Sequence, residues 1–197
     1  MKKIAVFASG NGSNFQAIYE AVESGTLRAE IKMLVCDKPG AFVVERARKA
    51  GVPVLEFCPK QYESKMEFET MLHEELQKKD VEYIVLAGYM RLIGSVLLEN
   101  YPEKIINIHP SLLPAFPGMD AIGQAVASGA KVTGVTIHYV DEGMDTGPII
   151  AQKALEIQDG ATIEEIAQEV HEIEHEFYPE TLDKLFEGKR KMEGAEE

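Results

Sequence analysis

Tryptophan is absent from the sequence, and cysteine occurs only as Cys36 and Cys58. Two cysteines are too few for a disulfide framework in a chain of 197 residues, which favours a reducing compartment. Long hydrophobic runs are absent as well: the apolar stretch at residues 4–8 ends at Ser9, so it is too short for a signal peptide or a membrane span. These absences predict a cytoplasmic protein with no membrane partner.

Basic residues are scarce, with 20 lysines and arginines against 33 aspartates and glutamates, and the net charge is -13. This balance disfavours broad docking onto nucleic acid or anionic lipid, so we expect no nucleic-acid partner. The apolar fraction of 45% is enough for one buried core. We expect a single domain at residues 1–188 and a charged, disordered tail at residues 189–197. The composition leaves the choice between monomer and homodimer open.

Short apolar runs alternate with amphipathic stretches along the first half of the chain. The runs are apolar on both faces, as parallel strands covered by helices must be, and lie at residues 4–8, 31–36, 52–57, 83–87 and 104–109. Helical patterns are predicted at residues 15–24, 41–50, 61–79 and 121–128. The alternation predicts an α/β fold with a right-handed, doubly wound, mostly parallel sheet, Rossmann-like in its construction.

The second half of the chain has a different pattern of apolar and polar residues. Residues 132–140 alternate apolar and polar side chains, which predicts a strand near the sheet edge, antiparallel to its neighbour. Residues 149–157 return as its hairpin partner, and a final helix follows at residues 163–185. His138, on the polar side of the first of these strands, is interpreted as a partly exposed strand residue.

A glycine-rich turn follows the first strand and reads SGNGSN at residues 9–14. Glycines let backbone N–H groups approach an anion, and the N-terminus of the next helix adds its dipole, so the turn predicts a phosphate site. As a dinucleotide fingerprint it is incomplete, because Phe15 stands at the third glycine position. Ser13 or Asn14 would also cap the helix, and we expect capping and phosphate binding together.

Residues 107–114 read NIHPSLLP and follow directly on a buried strand. Asn107 and His109 are two residues apart on that strand, so they share a face at its carboxyl end, where open α/β sheets bind their ligands. Three prolines then stiffen the loop. The acidic loop at residues 141–148 contributes three carboxylates that could hold a metal or orient a histidine, although most acidic turns do neither.

Two further features have a functional and a structural interpretation. Asp37, after the second strand, is either the acidic residue that binds the ribose in a nicotinamide site or an ordinary turn residue, and the turn interpretation is favoured. The final helix contains His171-Glu172-Ile173-Glu174-His175, the H-E-x-x-H spacing of zinc proteases, but both histidines flank the buried stripe, so we expect no metal site. Glu174 falls near the middle of that stripe. A carboxylate there needs a partner or a polar site, so we interpret it as a ligand contact.

With these motifs the chain resembles the formyltransferases that use 10-formyltetrahydrofolate, and within that family the branch that formylates glycinamide ribonucleotide in purine biosynthesis. The most specific part is the NIHPSLLP segment, followed by Asp145 in DEGMDTGPI and by the GNGSN turn, which separates the nucleotide-using branch from its relatives. The nearest alternative is a formyltetrahydrofolate hydrolase. A binding module without catalysis and a nicotinamide oxidoreductase are weaker ones.

The resemblance implies a role for each motif. It implies three catalytic residues, namely Asn107, His109 and Asp145. The substrate phosphate would bind Gly12, Ser13 and Asn14, and Glu174 would contact the ribose. The folate cosubstrate would lie against Lys65, Met90, Arg91, Leu92, Val140, Asp141 and Asp145. Neither a metal nor a covalent enzyme intermediate is required.

The chain departs from its relatives at two places. Asp120 and Ile122 stand where some members carry histidines. Lys65 stands where some carry arginine, so it would act as a point charge and not as a guanidinium that binds with two parallel N–H groups. We expect altered contacts to the folate tail or the substrate, with the chemistry unchanged.

The formyl transfer itself fits the residue types. Attack of an amine on the formyl carbon gives a tetrahedral oxyanion, and a proton must move from the attacking nitrogen to the leaving nitrogen. Asn107 can donate its side-chain amide to the oxyanion, a contribution of about 3 kcal/mol in comparable sites. A protonated His109 can bind the same charge, with Asp145 orienting it or a relaying water.

Overall fold

A computed structural model describes residues 1–193 of the chain, with side chains for residues 1–188. Its centre is a seven-stranded sheet in the order β3-β2-β1-β4-β5-β6-β7. The strands are β1 (Lys2–Ala8), β2 (Ala29–Cys36), β3 (Val54–Glu56), β4 (Tyr83–Leu86), β5 (Ile105–His109), β6 (Val132–Tyr139) and β7 (Ile149–Glu156). The helices are α1 (Ser13–Glu23), α2 (Phe42–Lys49), α3 (Lys65–Lys78), α4 (Ser95–Asn100), α5 (Ala121–Ala127) and α6 (Ile163–Glu193).

The sheet is parallel from β3 to β5, and β6 runs antiparallel to both of its neighbours. The predicted α/β fold with an antiparallel edge hairpin is therefore confirmed. The chain moves outward from β1 through β2 to β3 and then returns to place β4 on the other side of β1. This reversal opens a crevice at the carboxyl ends of β1 and β4, which is where doubly wound sheets bind ligands.

Apolar side chains fill both faces of the sheet. One face packs α1, α2 and α6 against the strands, around residues such as Phe15, Val43 and Tyr178, all less than 1% exposed. The other face packs α3 and α4, with Leu72 and Leu97 among its buried residues. Because the central strands are covered on both sides, their sequences are apolar without alternation.

Helix α3 differs from its prediction in where it begins and in what it buries. It starts at Lys65 and not near residue 61, because the Ser64 hydroxyl accepts the Glu67 amide and caps it there. In the structure Met66 is 64% exposed although it is apolar, while Glu69 is buried although it is charged. The short helix α4 has no counterpart in the predicted elements.

The other end of the chain shows further differences. Helix α6 continues past residue 185 and contains Pro179 within its length. Residues 194–197 of the predicted tail lie outside the described residues, so the domain boundary at residue 188 stays a prediction. No helix within residues 1–193 combines the length and apolar composition that a membrane span requires.

Candidate active site

The turn between β1 and α1 lines a cavity of about 540 Å³ at the carboxyl edge of the sheet. Gly12 is the N-cap of α1 with φ +80°, and no side chain caps this helix, so the predicted capping by Ser13 or Asn14 is wrong. A Cβ at Gly12 would lie 2.4 Å from Cγ2 of Val43. Only glycine fits this backbone and this contact, and the first amides of α1 stay free for an anion.

Helix α2 holds the carbonyl groups of the same turn. The Val43 amide donates to the Gly10 carbonyl at 3.0 Å, and Nε of Arg46 donates to the Asn11 carbonyl at 2.9 Å. With two of its carbonyls bonded to α2, the turn is fixed in a conformation whose amides line the cavity. We call residues 10–14 the phosphate cradle, after the role that the sequence predicts for them.

Strand β5 and the loop after β6 bring the three predicted catalytic residues together. Nδ1 of His109 lies 3.4 Å from Oδ2 of Asp145, and Nε2 lies 2.9 Å from the Phe116 carbonyl oxygen. The Gly118 amide donates to the same Asp145 oxygen at 2.8 Å. Asn107, His109 and Asp145 all line the cavity, as expected from their positions on the strand and the loop. A doubly protonated His109 ring would donate to an oxygen on each side.

The charge state of Asp145 follows from these contacts. Burial raises the pKa of its carboxyl group, but the contact with His138, the Gly118 hydrogen bond and the charge of His109 outweigh burial and hold that pKa below its ordinary value of 3.8. Asp145 is therefore a carboxylate at neutral pH, and it provides the negative charge beside the imidazole of His109.

His138 is a site residue that sequence reasoning missed. It is buried and not partly exposed, and it lies directly across from Asn107 in the register of β5 and β6. Its Nδ1 lies 2.8 Å from the Tyr139 carbonyl oxygen, so Nδ1 donates there. Nε2 lies 3.4 Å from Nδ2 of Asn107 and 3.7 Å from Oδ1 of Asp145. Only the pairing register of β5 and β6 places His138 opposite Asn107, and the sequence does not show this register.

The polar face of β6 is covered because the loop after β5 folds over it. The Thr136 hydroxyl donates to the Ser111 carbonyl at 2.7 Å and accepts the Leu113 amide at 3.0 Å. These bonds satisfy Thr136 in a buried position and dock the proline-containing loop onto the strand. The loop then forms one wall of the cavity, through Pro110 and Gly118.

Glu174 of α6 lines the cavity and contacts the start of α1, while its predicted contact with a ligand stays a prediction. It is buried, and its Oε2 accepts from Nδ1 of His171 at 2.9 Å and from Nδ2 of Asn14 at 3.3 Å. The hydrogen bond to Glu174 raises the pKa of His171 above 6.5. Oδ1 of Asn14 is buried and has no hydrogen-bond partner within residues 1–188, so it can accept from a ligand.

The other face of the cavity is apolar. Met90 and Leu92 expose large parts of their side chains, and they line the cavity with Arg91 and Val140. Two residues of the predicted folate set lie elsewhere. Lys65 is beside Glu69 and Gly94 and does not line the cavity. Asp141 accepts from the Gly143 amide and the Thr146 hydroxyl and so folds its own loop.

The structure also bears on the hypotheses about a metal site, Asp37 and Asp120. Among the described residues, no group of three or more His, Cys, Asp and Glu side chains is arranged to hold a metal ion, the H-E-x-x-H segment included. Asp37 is buried and bonded to Ser9 and Arg91, so it is neither an exposed turn residue nor a free ribose acid. Asp120 lines the cavity and caps α5, with the Gly123 amide donating to it.

Comparison with known proteins places this site in a family. Residues 2–182 match the formyl transferase family. A phosphoribosylglycinamide formyltransferase from Bacillus subtilis is 58% identical over 185 residues, which are 94% of this chain and 95% of that protein. The crystal structure of glycinamide ribonucleotide transformylase 1 from Geobacillus kaustophilus superposes with a TM-score of 0.92 at 57% identity, covering 94% of this chain and 98% of that one. A trifunctional purine biosynthetic protein adenosine-3 from Gallus gallus is 38% identical, and the match spans only 18% of its length.

The doubly wound sheet thus brings a glycine-rich turn and the side chains of Asn107, His109 and Asp145 to one crevice, and the comparisons identify the protein as a group-transfer enzyme. The chain belongs to the formyl transferase family, and within it to the phosphoribosylglycinamide formyltransferases.

Proposed function

We propose that this protein transfers the formyl group of 10-formyltetrahydrofolate to the amine of glycinamide ribonucleotide, a step of de novo purine biosynthesis. The observation that carries the proposal is the shared cavity: the phosphate cradle and the cluster of Asn107, His109 and Asp145 line one space of about 540 Å³. Cavities of this size hold small-molecule ligands. The match to the formyl transferase family and to a phosphoribosylglycinamide formyltransferase supports the same reaction.

The two substrates would occupy opposite sides of the cavity. The phosphate of the nucleotide would bind the amides of Gly12, Ser13 and Asn14 at the start of α1, where the helix dipole favours an anion. Glu174 would accept from the ribose hydroxyls. The folate would lie on the apolar side, against Met90, Leu92 and Val140.

The reaction begins when the amine attacks the formyl carbon and the carbonyl oxygen becomes an oxyanion. Asn107, whose Nδ2 lies 3.4 Å from Nε2 of His138, would donate an N–H of its amide to this oxygen. A donor of this kind stabilises the transition state by about 3 kcal/mol.

Proton transfer completes the reaction. The attacking nitrogen must lose a proton, the leaving folate nitrogen must gain one, and the bond between the formyl carbon and that nitrogen breaks. His109, held against the Asp145 carboxylate, would carry the proton directly or through a water molecule. Formylated nucleotide and tetrahydrofolate result, with every atom of the reactants accounted for.

Partners and location follow from the same chemistry. Both substrates are small molecules, and the net charge of -13 opposes binding to nucleic acid or anionic lipid. Cytoplasm is the proposed location, since free thiols such as Cys36 and Cys58 suit a reducing compartment.

The test is an assay of purified protein with 10-formyltetrahydrofolate, with and without glycinamide ribonucleotide, that follows formylated nucleotide and free formate separately. We expect nucleotide-dependent transfer that collapses in His109→Ala. His73→Asn is the matched control, because His73 packs against Tyr101 and lies outside the cavity. Formate release without nucleotide would show a hydrolase instead, and nucleotide binding with no turnover would show a binding module.

A further inference from the structure

Asp37 is a buried carboxylate for which the transfer chemistry has no use. It follows β2 directly and its side chain is 1% exposed. Its Oδ1 accepts from the Ser9 hydroxyl at 2.5 Å, and its Oδ2 accepts from Nε of Arg91 at 2.7 Å. A buried charge is costly to retain unless its oxygens are satisfied in this way. Both oxygens of Asp37 are thus committed to protein groups and not to a ligand.

The two partners of Asp37 belong to different parts of the site. Ser9 immediately precedes the phosphate cradle, while Arg91 lies in the loop after β4 that forms the apolar side of the cavity. The Ser9 oxygen also accepts the Met90 amide, at 2.9 Å. The loop is therefore tied to the ends of two strands, through the Arg91 side chain to Asp37 after β2 and through the Met90 amide to Ser9 after β1.

The hydrogen bond to Asp37 also orients the guanidinium of Arg91. Within residues 1–188, Arg91 makes its side-chain hydrogen bond to another side chain through Nε, to Asp37. The Arg91 side chain is 40% exposed and lines the cavity. Its two terminal NH2 groups are not used in the bond to Asp37. A guanidinium held by one edge can meet a carboxylate with the other.

The phosphate cradle does not depend on Asp37 in the same way. It is held by α2, through the Val43 amide on the Gly10 carbonyl and Arg46 on the Asn11 carbonyl. If Asp37 were lost, these bonds would keep the cradle in place, whereas the loop at Met90 and Arg91 would lose the carboxylate that fixes it.

We infer that Asp37 is a positioning residue that holds the folate side of the cavity, through Arg91 and through Ser9 and Met90, in a fixed place relative to the phosphate cradle. The inference rests on the proposed function, because it takes the loop after β4 as the binding surface of the formyl donor. Asp37 then sets the affinity for the donor without touching either substrate.

The test compares steady-state kinetics of the wild type with Asp37→Ala. We expect the KM for 10-formyltetrahydrofolate to rise about tenfold, equivalent to about 1.4 kcal/mol. The KM for glycinamide ribonucleotide should stay within about twofold, because α2 still holds the cradle. Ser9→Ala, which removes the acceptor of the Met90 amide, should raise the KM for the donor in the same direction.

Glu56→Ala is the matched control. Glu56 ends β3, beside β2, and its carboxylate also accepts two hydrogen bonds, from the Gly40 amide and from Arg48. It lines no part of the cavity. Its loss should perturb the sheet edge to a similar degree and leave both KM values within about twofold of the wild type.

Three results would overturn the inference: a donor KM that stays within twofold in Asp37→Ala, a nucleotide KM that rises equally, or the same donor effect in Glu56→Ala. If Asp37→Ala does not fold, Ser9→Ala decides, and an unchanged donor KM there refutes the positioning role. Calorimetric titration of the same proteins with tetrahydrofolate separates this inference from the proposed function. A wild type that transfers no formyl group refutes the function, while unchanged tetrahydrofolate affinity in the variants refutes the role of Asp37.

Discussion

Nδ1 of His109 and Oδ2 of Asp145 lie 3.4 Å apart although the two residues come from different elements, the end of β5 and the loop between β6 and β7. The contact depends on the Gly118 amide, which donates to the same carboxylate oxygen at 2.8 Å. Three segments therefore meet at one carboxylate, and the activity of the site should depend on its charge.

Asp145→Asn should lower kcat by about 10²- to 10⁴-fold, the range over which positioned proton transfer contributes. The amide keeps the size of the side chain but removes the negative charge beside His109. Single-turnover measurement of formylated nucleotide would report the chemical step. Glu142→Gln, an exposed carboxylate three residues earlier in the same loop, is the control and should keep wild-type kcat. Equal losses in both variants would mean that loop structure, and not the Asp145 charge, is responsible.

Asn107→Ala should lower kcat by about 10²- to 10³-fold with little change in either KM, because a donor to the oxyanion acts only in the transition state. Steady-state kinetics with each substrate varied in turn would measure this. Asn100→Ala is a suitable control, since the Asn100 amide donates to the Val96 carbonyl on the exposed side of α4. A rise in KM alone would show that Asn107 binds substrate and does not stabilise the oxyanion.

Gly12→Ala and Gly25→Ala form a matched pair. Both glycines have positive φ, +80° and +77°, but a Cβ would lie 2.4 Å from Val43 at Gly12 and would meet nothing within 4 Å at Gly25. Gly25→Ala should cost about 1–2 kcal/mol of unfolding free energy from backbone strain. Gly12→Ala should cost about 1–3 kcal/mol more, from the clash.

Urea unfolding and nucleotide kinetics would separate the two glycine effects. Only Gly12→Ala should raise the KM for glycinamide ribonucleotide, because the shift needed to relieve the clash moves the phosphate cradle. Similar KM values in the two variants would remove Gly12 from the nucleotide site.

The contribution of His171 to the stability of the folded protein should depend on pH, with a sign that follows from its pKa. Its pKa is raised above 6.5, chiefly by the hydrogen bond to Glu174. A group whose pKa is raised on folding contributes stability that is fully present below its unfolded pKa and is lost as the pH rises through the folded pKa. The stability advantage of the wild type over His171→Ala should therefore shrink above neutral pH.

Unfolding measured from about pH 5 to about pH 9, together with NMR titration of the imidazole, would test this directly. In Glu174→Gln the pKa of His171 should return toward 6.5. An unchanged pKa in that variant would rule out Glu174 as the cause.

Local patterns in the sequence were enough to predict the elements that carry the chemistry. Asn107 and His109 were placed on one face because side chains on a strand alternate, and the structure has both at the cavity. Glu174 was found because a carboxylate within an apolar helical stripe needs a polar neighbour, and His171 and Asn14 are its partners. The glycine turn was recognised because backbone amides need that composition to reach an anion.

Other features depended on contacts between distant segments. His138 belongs to the site because β6 pairs with β5 in the register that sets it opposite Asn107. Asp37 is buried because Ser9 and Arg91 converge on it from two other strands. Lys65 is removed from the cavity because Ser64 starts α3 and places its first turn beside Gly94.

The sequence by itself thus determined the kind of each strand and of each helix except the short α4, as well as the motifs at their ends, because these follow from the periodicity of neighbouring residues. Only the tertiary structure decided which motifs meet, because strand register and loop packing are set by contacts between residues far apart in the chain. Of the residues in this site, the histidine at 138 and the aspartate at 37 could be interpreted only after the sheet had been assembled.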